Sequence, residues 1–247
     1  GTPEATADVR RRLQLQSGNP YQEATLATRI DELFTNDNEL AGVVITHGTS
    51  TIEETAYFLD LTVRHERPVV LVGAQRPATA ISADGPLNLV SAVRTAACPD
   101  SRGRGVLVVL NDEINAARDV TKTNTYRVET FRSPELGLLG YVDADKVSFY
   151  RSSTKRHTVH SEFDVSRLTE LPKVDIVLSY VQPSLAMARA LVADGVQGVS
   201  EGRNRAAAVG SGDTRQPVGG IVCVDRGYPI GIGDDRLSPG GIIAVGG

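Results

Sequence analysis

Short aliphatic runs alternate with helix-period segments through the first half of the chain. Residues 42–46 (GVVIT) form a continuous apolar run rich in β-branched side chains, the pattern of a strand in a parallel sheet covered on both faces. A polar HGTS turn follows, after which Ile52, Ala56, Leu59 and Val63 recur at helical spacing. Ser50 stands three residues before Glu53, a capping-box spacing that predicts the helix start. Pro68 opens the next strand, PVVLVGA, and the loop QRPATAISADGP leads into a second helix. There Asp84 predicts the cap, Pro86 suits the first turn, and Leu89, Val93 and Ala97 make the apolar stripe. GVLVVLND, residues 105–112, predicts a third strand. Strand, helix, strand, helix, strand with short links is the signature of a doubly wound sheet.

Beyond this unit, to about Val165, short β-like runs in LGYVDADKVSFY are separated by polar turns. SEFDVSRLTELPKV reads as a connector, and VDIVLSYV opens a second strand–helix unit whose helix carries Leu185, Ala188, Leu191 and Val192. GGIVCVD and GGIIAVGG read as later strands of the same smaller domain, while residues 200–220 receive no element. The predicted fold class is α/β. A doubly wound, mostly parallel, flavodoxin-like N-terminal domain occupies residues 1–165. A connector spans 161–173, and a smaller C-terminal α/β domain occupies 172–247.

Composition narrows the function classes. The 247 residues suffice for a sizeable core in one large domain or two modest ones. Lys and Arg total 26 against 30 Asp and Glu, a net charge of -4 that implies no broad basic face for nucleic acid or anionic lipid. Trp is absent and aromatics make up 5%, which argues against stacking platforms for single strands. No apolar stretch is long enough to cross a bilayer, and the opening GTPEATADVRRR lacks the apolar centre of a signal peptide. Cys98 and Cys223 alone exclude a disulfide framework and most cysteine-based zinc sites, so free thiols are expected.

Ligands of an open parallel sheet settle beyond the carboxyl ends of its strands. That rule selects the loops His47–Thr51, Ala74–Gly85 and Asn111–Thr125. The first places hydroxyls at a helix N-terminus, where free N–H groups and the macrodipole favour a carboxylate or oxyanion. The third contains DVTKTNT, a lysine among hydroxyl residues. A lysine whose amine is neutral can take a threonine's proton and make its oxygen a nucleophile. Thr49 and Lys122 are the candidates, against the blander reading of a strand-end hydroxyl and a solvated lysine. Asp84 reads as a cap and loop organiser rather than an acid, and His47 as a brace for its turn. His157 and His160 read as surface or interface residues.

The segments THGTSTIEETAYFLDLTV, RPVVLVGAQRPATAISADGPLNL, RGVLVVLND, RDVTKTNT, KRHTVHSEFDV and LPKVDI closely resemble the bacterial L-asparaginases, the periplasmic type II glutaminase-asparaginases in particular. The likeness runs almost continuously from about Leu40 to Tyr180. It implies hydrolysis of the side-chain amide of asparagine, in some members also glutamine, without metal or organic cofactor. It also implies a small-molecule amino-acid amide as partner, a homotetramer built as a dimer of intimate dimers, and a periplasmic address, with the cytoplasm as alternative. Position by position, THGT implies that Thr49 is the family's second catalytic threonine and TKT that Lys122 is its catalytic lysine. A Ser-containing loop that holds the substrate α-carboxylate would correspond to Ser17 in LQSGNPYQ. Ser50 falls at the position that meets the substrate ammonium.

Three departures from the family pattern stand out. The TGGTI turn, whose first threonine is the usual nucleophile, is not recognisable, and neither is the tyrosine-bearing lid. The residue after the catalytic threonine is normally aspartate, but here it is Ser50, which offers no charge. Loss of one charge-assisted contact to a buried ammonium costs roughly 1.5–3 kcal/mol, or about ten- to a hundredfold in binding. The C-terminal part matches weakly. An incomplete sequence is the favoured expectation, because a strand missing from a buried sheet exposes two edges. A catalytically impaired, amino-acid-binding relative is the alternative. A nucleotide-binding protein is a weaker one, since no GxGxxG or GxxxxGK[ST] pattern follows a predicted strand.

Overall fold

The computed structural model describes residues 23–168, 171–179, 184–203 and 221–223. The chain divides into two compact units, 1–168 and 169–247.

Among the described residues, the first element of the first unit is α1, Glu23–Asn36, a helix the hydrophobic pattern did not suggest. Its Leu26, Ala27, Ile30 and Phe34 are buried along one face, and it packs against the next helix, α2 (Ile52–Thr62). Between them runs β1, Val43–Thr46. The strands β2 (Val69–Val72) and β3 (Val106–Leu110) are buried at every position, and α3, Gly85–Ala97, connects them. β1 pairs with β2 and β2 with β3, both in parallel, with Val44 opposite Val70 and Leu71 opposite Val108. The three carboxyl ends therefore share one edge, as the alternating pattern predicted.

Side chains alternate across the sheet. Val70, Val72, Leu107 and Val109 meet Ala92 and Ala96 of α3 in one cluster. Val69, Leu71, Val106 and Val108 point to the other face, that of α2, whose Ile52, Ala56 and Leu59 are fully buried. The stripe expected on α3 is not the buried one: Leu89 and Val93 are 42% and 51% exposed, while Asn88, Ser91, Ala92, Thr95 and Ala96 are buried. Small residues let the helix approach the sheet closely, and the buried polar ones all have partners. Ser91 Oγ donates to Asp112 Oδ1 at 3.1 Å and Thr95 Oγ1 to the Ser91 carbonyl at 2.8 Å. The predicted cap at Ser50 is also displaced. The residue preceding α2 is Thr51, and no side chain caps the helix there.

β3 ends two residues earlier than predicted. Asn111 and Asp112 take φ of 53° and 61° and form a two-residue hairpin of the kind whose twist suits paired strands. They lead into the antiparallel β4, Glu113–Ala116. A separate ribbon follows, β5 (Thr121–Lys122) against β6 (Phe131–Arg132). The hairpin β7 (Gly140–Asp143) and β8 (Lys146–Phe149) then extends the main sheet to the order β1-β2-β3-β4-β7-β8, antiparallel from β3 outward. In the second unit, β9 (Val174–Ser179) precedes α4 (Ala186–Ala193), and β9 pairs in parallel with β10 (Gly198–Arg203). β11, Ile221–Cys223, adds antiparallel to β10. β10 enters the stretch that received no element from the pattern, and GGIIAVGG lies outside the described residues.

At the amino end of β3, Asp60 of α2 is buried and accepts a hydrogen bond from the Val106 amide at 2.9 Å. Gly105 has φ of +79°, and a Cβ there would lie 2.5 Å from Asp60 Oδ1. His157 packs against the same glycine and is buried, so it is a core residue rather than the surface or interface residue expected; His160 is exposed. Burial pushes the Asp60 carboxyl up to about 6, against the opposing pull of the Val106 amide and Arg118. The folded state thus holds this proton more tightly than the unfolded chain, so Asp60 favours folding most below about pH 4, and that contribution disappears as pH rises through 6. Denaturation of wild type and Asp60→Asn at pH 4 and 7.5 is expected to show wild type losing about 2–3 kcal/mol relative to the variant. A difference independent of pH would show that Asp60 titrates as an ordinary carboxylate.

Candidate active site

The turn after β1 is held from three sides. The His47 amide donates to the Val72 carbonyl at 2.8 Å, continuing the ladder past the strand end. Its ring bridges the turn, with Nδ1 2.8 Å from the Gly48 carbonyl oxygen and Nε2 3.1 Å from Thr55 Oγ1 on α2. His47 is the brace expected of it. From below, Gly73 at the end of β2 supports the turn: a Cβ there would lie 2.9 Å from both Thr49 Cγ2 and the His47 carbonyl oxygen. Thr49 is half-buried and Ser50 exposed.

Lys122 reaches this turn from 73 residues away, and its Nζ donates to Thr49 Oγ1 at 2.8 Å. Its backbone amide donates to Glu53 Oε2, in the first turn of α2, at 3.2 Å. Lys122 pairs with the buried Phe131 across the ribbon. The connecting loop is closed by Thr130, whose carbonyl accepts from the Thr123 amide and hydroxyl, both at 2.8 Å. Asn124 Oδ1 accepts from the amides of Tyr126 and Arg127.

The loop after β2 is organised by Asp84, which accepts from the amides of Gln75 and Arg76, each at 2.9 Å. Burial raises its carboxyl, but those amides and the Asn88 side chain outweigh it and hold the group below the usual carboxylate range. Asn88 is the residue the sequence reading missed. Its Nδ2 donates to the Gly73 carbonyl and to Asp84, each at 3.0 Å, and its Oδ1 accepts from the Asn111 amide at 2.9 Å. An asparagine one turn inside a helix of mostly apolar and small residues was the available signal.

The structure thus brings Thr49 and Lys122 together beside the N-terminus of α2, with Ser50 adjacent in sequence. Ser17 lies outside the described residues. A hydroxyl paired with an amine, next to backbone N–H groups that a helix leaves unpaired, is suited to nucleophilic attack on a carbonyl. Among the described residues, no three His, Cys, Asp or Glu side chains gather as a metal set. A separate cleft of about 370 Å³ opens beside Thr123, with Glu113, Asn115, Arg132 and Ser133 in its wall.

Residues 6–155 match the family described as Asparaginase, N-terminal. The chain is 51% identical over 194 residues to L-asparaginase 2 of Escherichia coli K12, a match covering 78% of this chain and 53% of that protein. A glutaminase-asparaginase of Pseudomonas fluorescens biotype A is 43% identical over 205 residues, covering 81% and 56%. The crystal structure of a probable cytoplasmic L-asparaginase from Campylobacter jejuni superposes with a TM-score of 0.71 at 48% identity, over 77% of this chain and 62% of that one. This α/β chain belongs to the asparaginase family. It spans about half the length of the curated relatives it matches.

Gly73→Ala tests the support beneath Thr49. The added methyl is expected to displace the turn and cost about 1–3 kcal/mol, read by chemical denaturation. A crystal structure of the variant is expected to show Thr49 Oγ1 drawn away from Lys122 Nζ; an unchanged 2.8 Å separation would show that the strain is absorbed elsewhere.

Proposed function

We propose that this chain carries the Thr49–Lys122 portion of an amidohydrolase site, and that the protein converts L-asparagine, and also L-glutamine, to the acidic amino acid and ammonia. The observation that carries the reading is the 2.8 Å contact between the lysine amine and the threonine hydroxyl. The amine of Lys122 takes up the proton of Thr49, or of a water that Thr49 holds, as the oxygen attacks the amide carbon. Backbone N–H groups near the HGT turn stabilise the oxyanion, a large contribution in acyl transfer. The C–N bond then breaks, and the proton held by Lys122 leaves with the nitrogen as ammonia. Where Thr49 itself has attacked, water hydrolyses the resulting ester. Ser50 lies at the end of the site that receives the substrate's ammonium, and the resemblance supports Ser17, outside the described residues, as the group for its α-carboxylate. The names of the relatives support both amide substrates, and the family resemblance supports assembly as a homotetramer.

A second reading, an amino-acid-binding relative with impaired turnover, is favoured by one feature: Ser50 is neutral and exposed where the resemblance implies a carboxylate. Ammonia release from L-asparagine by the full-length protein separates the two. Under the enzymatic reading, Thr49→Ala and Lys122→Met each lower kcat by about a thousandfold or more. Asparagine binding without ammonia release by wild type would establish the binding reading instead. Ser50→Asp is expected to lower KM for asparagine about tenfold or more by restoring a charge-assisted contact. An unchanged or higher KM would place the substrate ammonium away from residue 50.

A further inference from the structure

We propose that Glu53 is a positioning residue for Lys122: its carboxylate fixes the lysine's backbone so that the amine meets Thr49. The inference rests on the amidohydrolase reading above. Lys122 stands outside the six-stranded sheet, in a two-residue strand with one partner strand. A ribbon of two ladder pairs has little stability of its own.

Among the described residues, two hydrogen bonds join that ribbon to the β1–α2 region. One is the reacting pair, Lys122 Nζ to Thr49 Oγ1, and the other is the Lys122 amide to Glu53 Oε2. Glu53 is well suited to anchor the ribbon. It projects from the first turn of a helix whose Ile52, Ala56 and Leu59 are fully buried, so its backbone is fixed to the core. A lysine side chain has several rotatable bonds. Fixing its backbone is what confines the amine to one place, and a misplacement of about 1 Å can cost a hundredfold in rate.

The role requires an acceptor at the right reach, not a charge. Glu53→Gln keeps the reach and an acceptor oxygen while removing the charge. Glu53→Asp keeps the charge and withdraws the acceptor by about one C–C bond, roughly 1.5 Å. In ammonia-release assays of the full-length protein, Glu53→Gln is expected to keep kcat within about threefold of wild type. Glu53→Asp is expected to lower kcat about tenfold or more with KM changed less than about threefold. Hydrogen exchange of the Lys122 amide should accelerate in Glu53→Asp and stay near wild type in Glu53→Gln. Equal kcat in wild type and Glu53→Asp, or a Gln variant as slow as the Asp variant, overturns the proposal while leaving the amidohydrolase reading intact. If wild type releases no ammonia, that reading falls, and the exchange measurement alone decides: an unchanged Lys122 amide in Glu53→Asp overturns the positioning role.

Discussion

The buried amide of Asn88 holds together the edge on which the candidate site is built. Its nitrogen donates to Gly73, its oxygen accepts from Asn111, and it also reaches Asp84. One side chain thereby joins the carboxyl end of β2, the hairpin after β3 and the start of α3. Parallel strands place their ends at a common edge, but the loops beyond them have no ladder to hold them. Each backbone group left unpaired in such a place costs about 1–3 kcal/mol. Asn88 satisfies two of them at once, and Gly73, so fixed, is the surface against which Thr49 rests.

The site combines two kinds of support. Thr49 sits on a turn braced by the main sheet and by His47, whereas Lys122 arrives on a short ribbon outside that sheet. The hydroxyl therefore inherits the rigidity of the core. The amine depends on local hydrogen bonds, through Glu53 on one side and the Thr130-closed loop on the other. The two groups are distant in sequence, so their contact requires both the sheet and the ribbon to be in place. The Thr49–Lys122 contact is consequently a property of the folded unit rather than of either segment.

Much of this architecture was legible because continuous apolar runs leave few alternatives. β1, β2 and β3 follow GVVIT, PVVLVGA and GVLVVLND, and Ile52, Ala56 and Leu59 of α2, with Val63 just after it, are buried as their spacing indicates. Periodicity failed where packing was decided by size rather than by apolarity. α3 turns Ala92 and Ala96 inward and leaves Leu89 and Val93 outside. The polar partners of buried groups were equally hidden: Asn88 could be noticed in its helix, but nothing near it points to Asn111 as its partner, 23 residues further on. His157, read as a surface or interface residue from its charged and hydroxyl-bearing neighbours, is buried against Gly105. Thr49 and Lys122 could be singled out, but chiefly through the resemblance carried by THGT and TKT. Glu53 was noticed for a capping role with Ser50, while the structure directs its carboxylate to Lys122. A two-residue strand such as β5 is too short for any period to reveal.

The inverted polarity of α3 makes its two sides unequal in what they tolerate. Toward the sheet, the seat is measured in methyl groups: a larger residue at Ala92 or Ala96 would lever the helix away, and with it the Asn88 amide that governs the neighbouring loops. Toward the outside, Leu87, Leu89, Val90 and Val93 can vary in bulk and polarity without that penalty. Drift in this helix should therefore be read by volume on one flank and by solubility on the other.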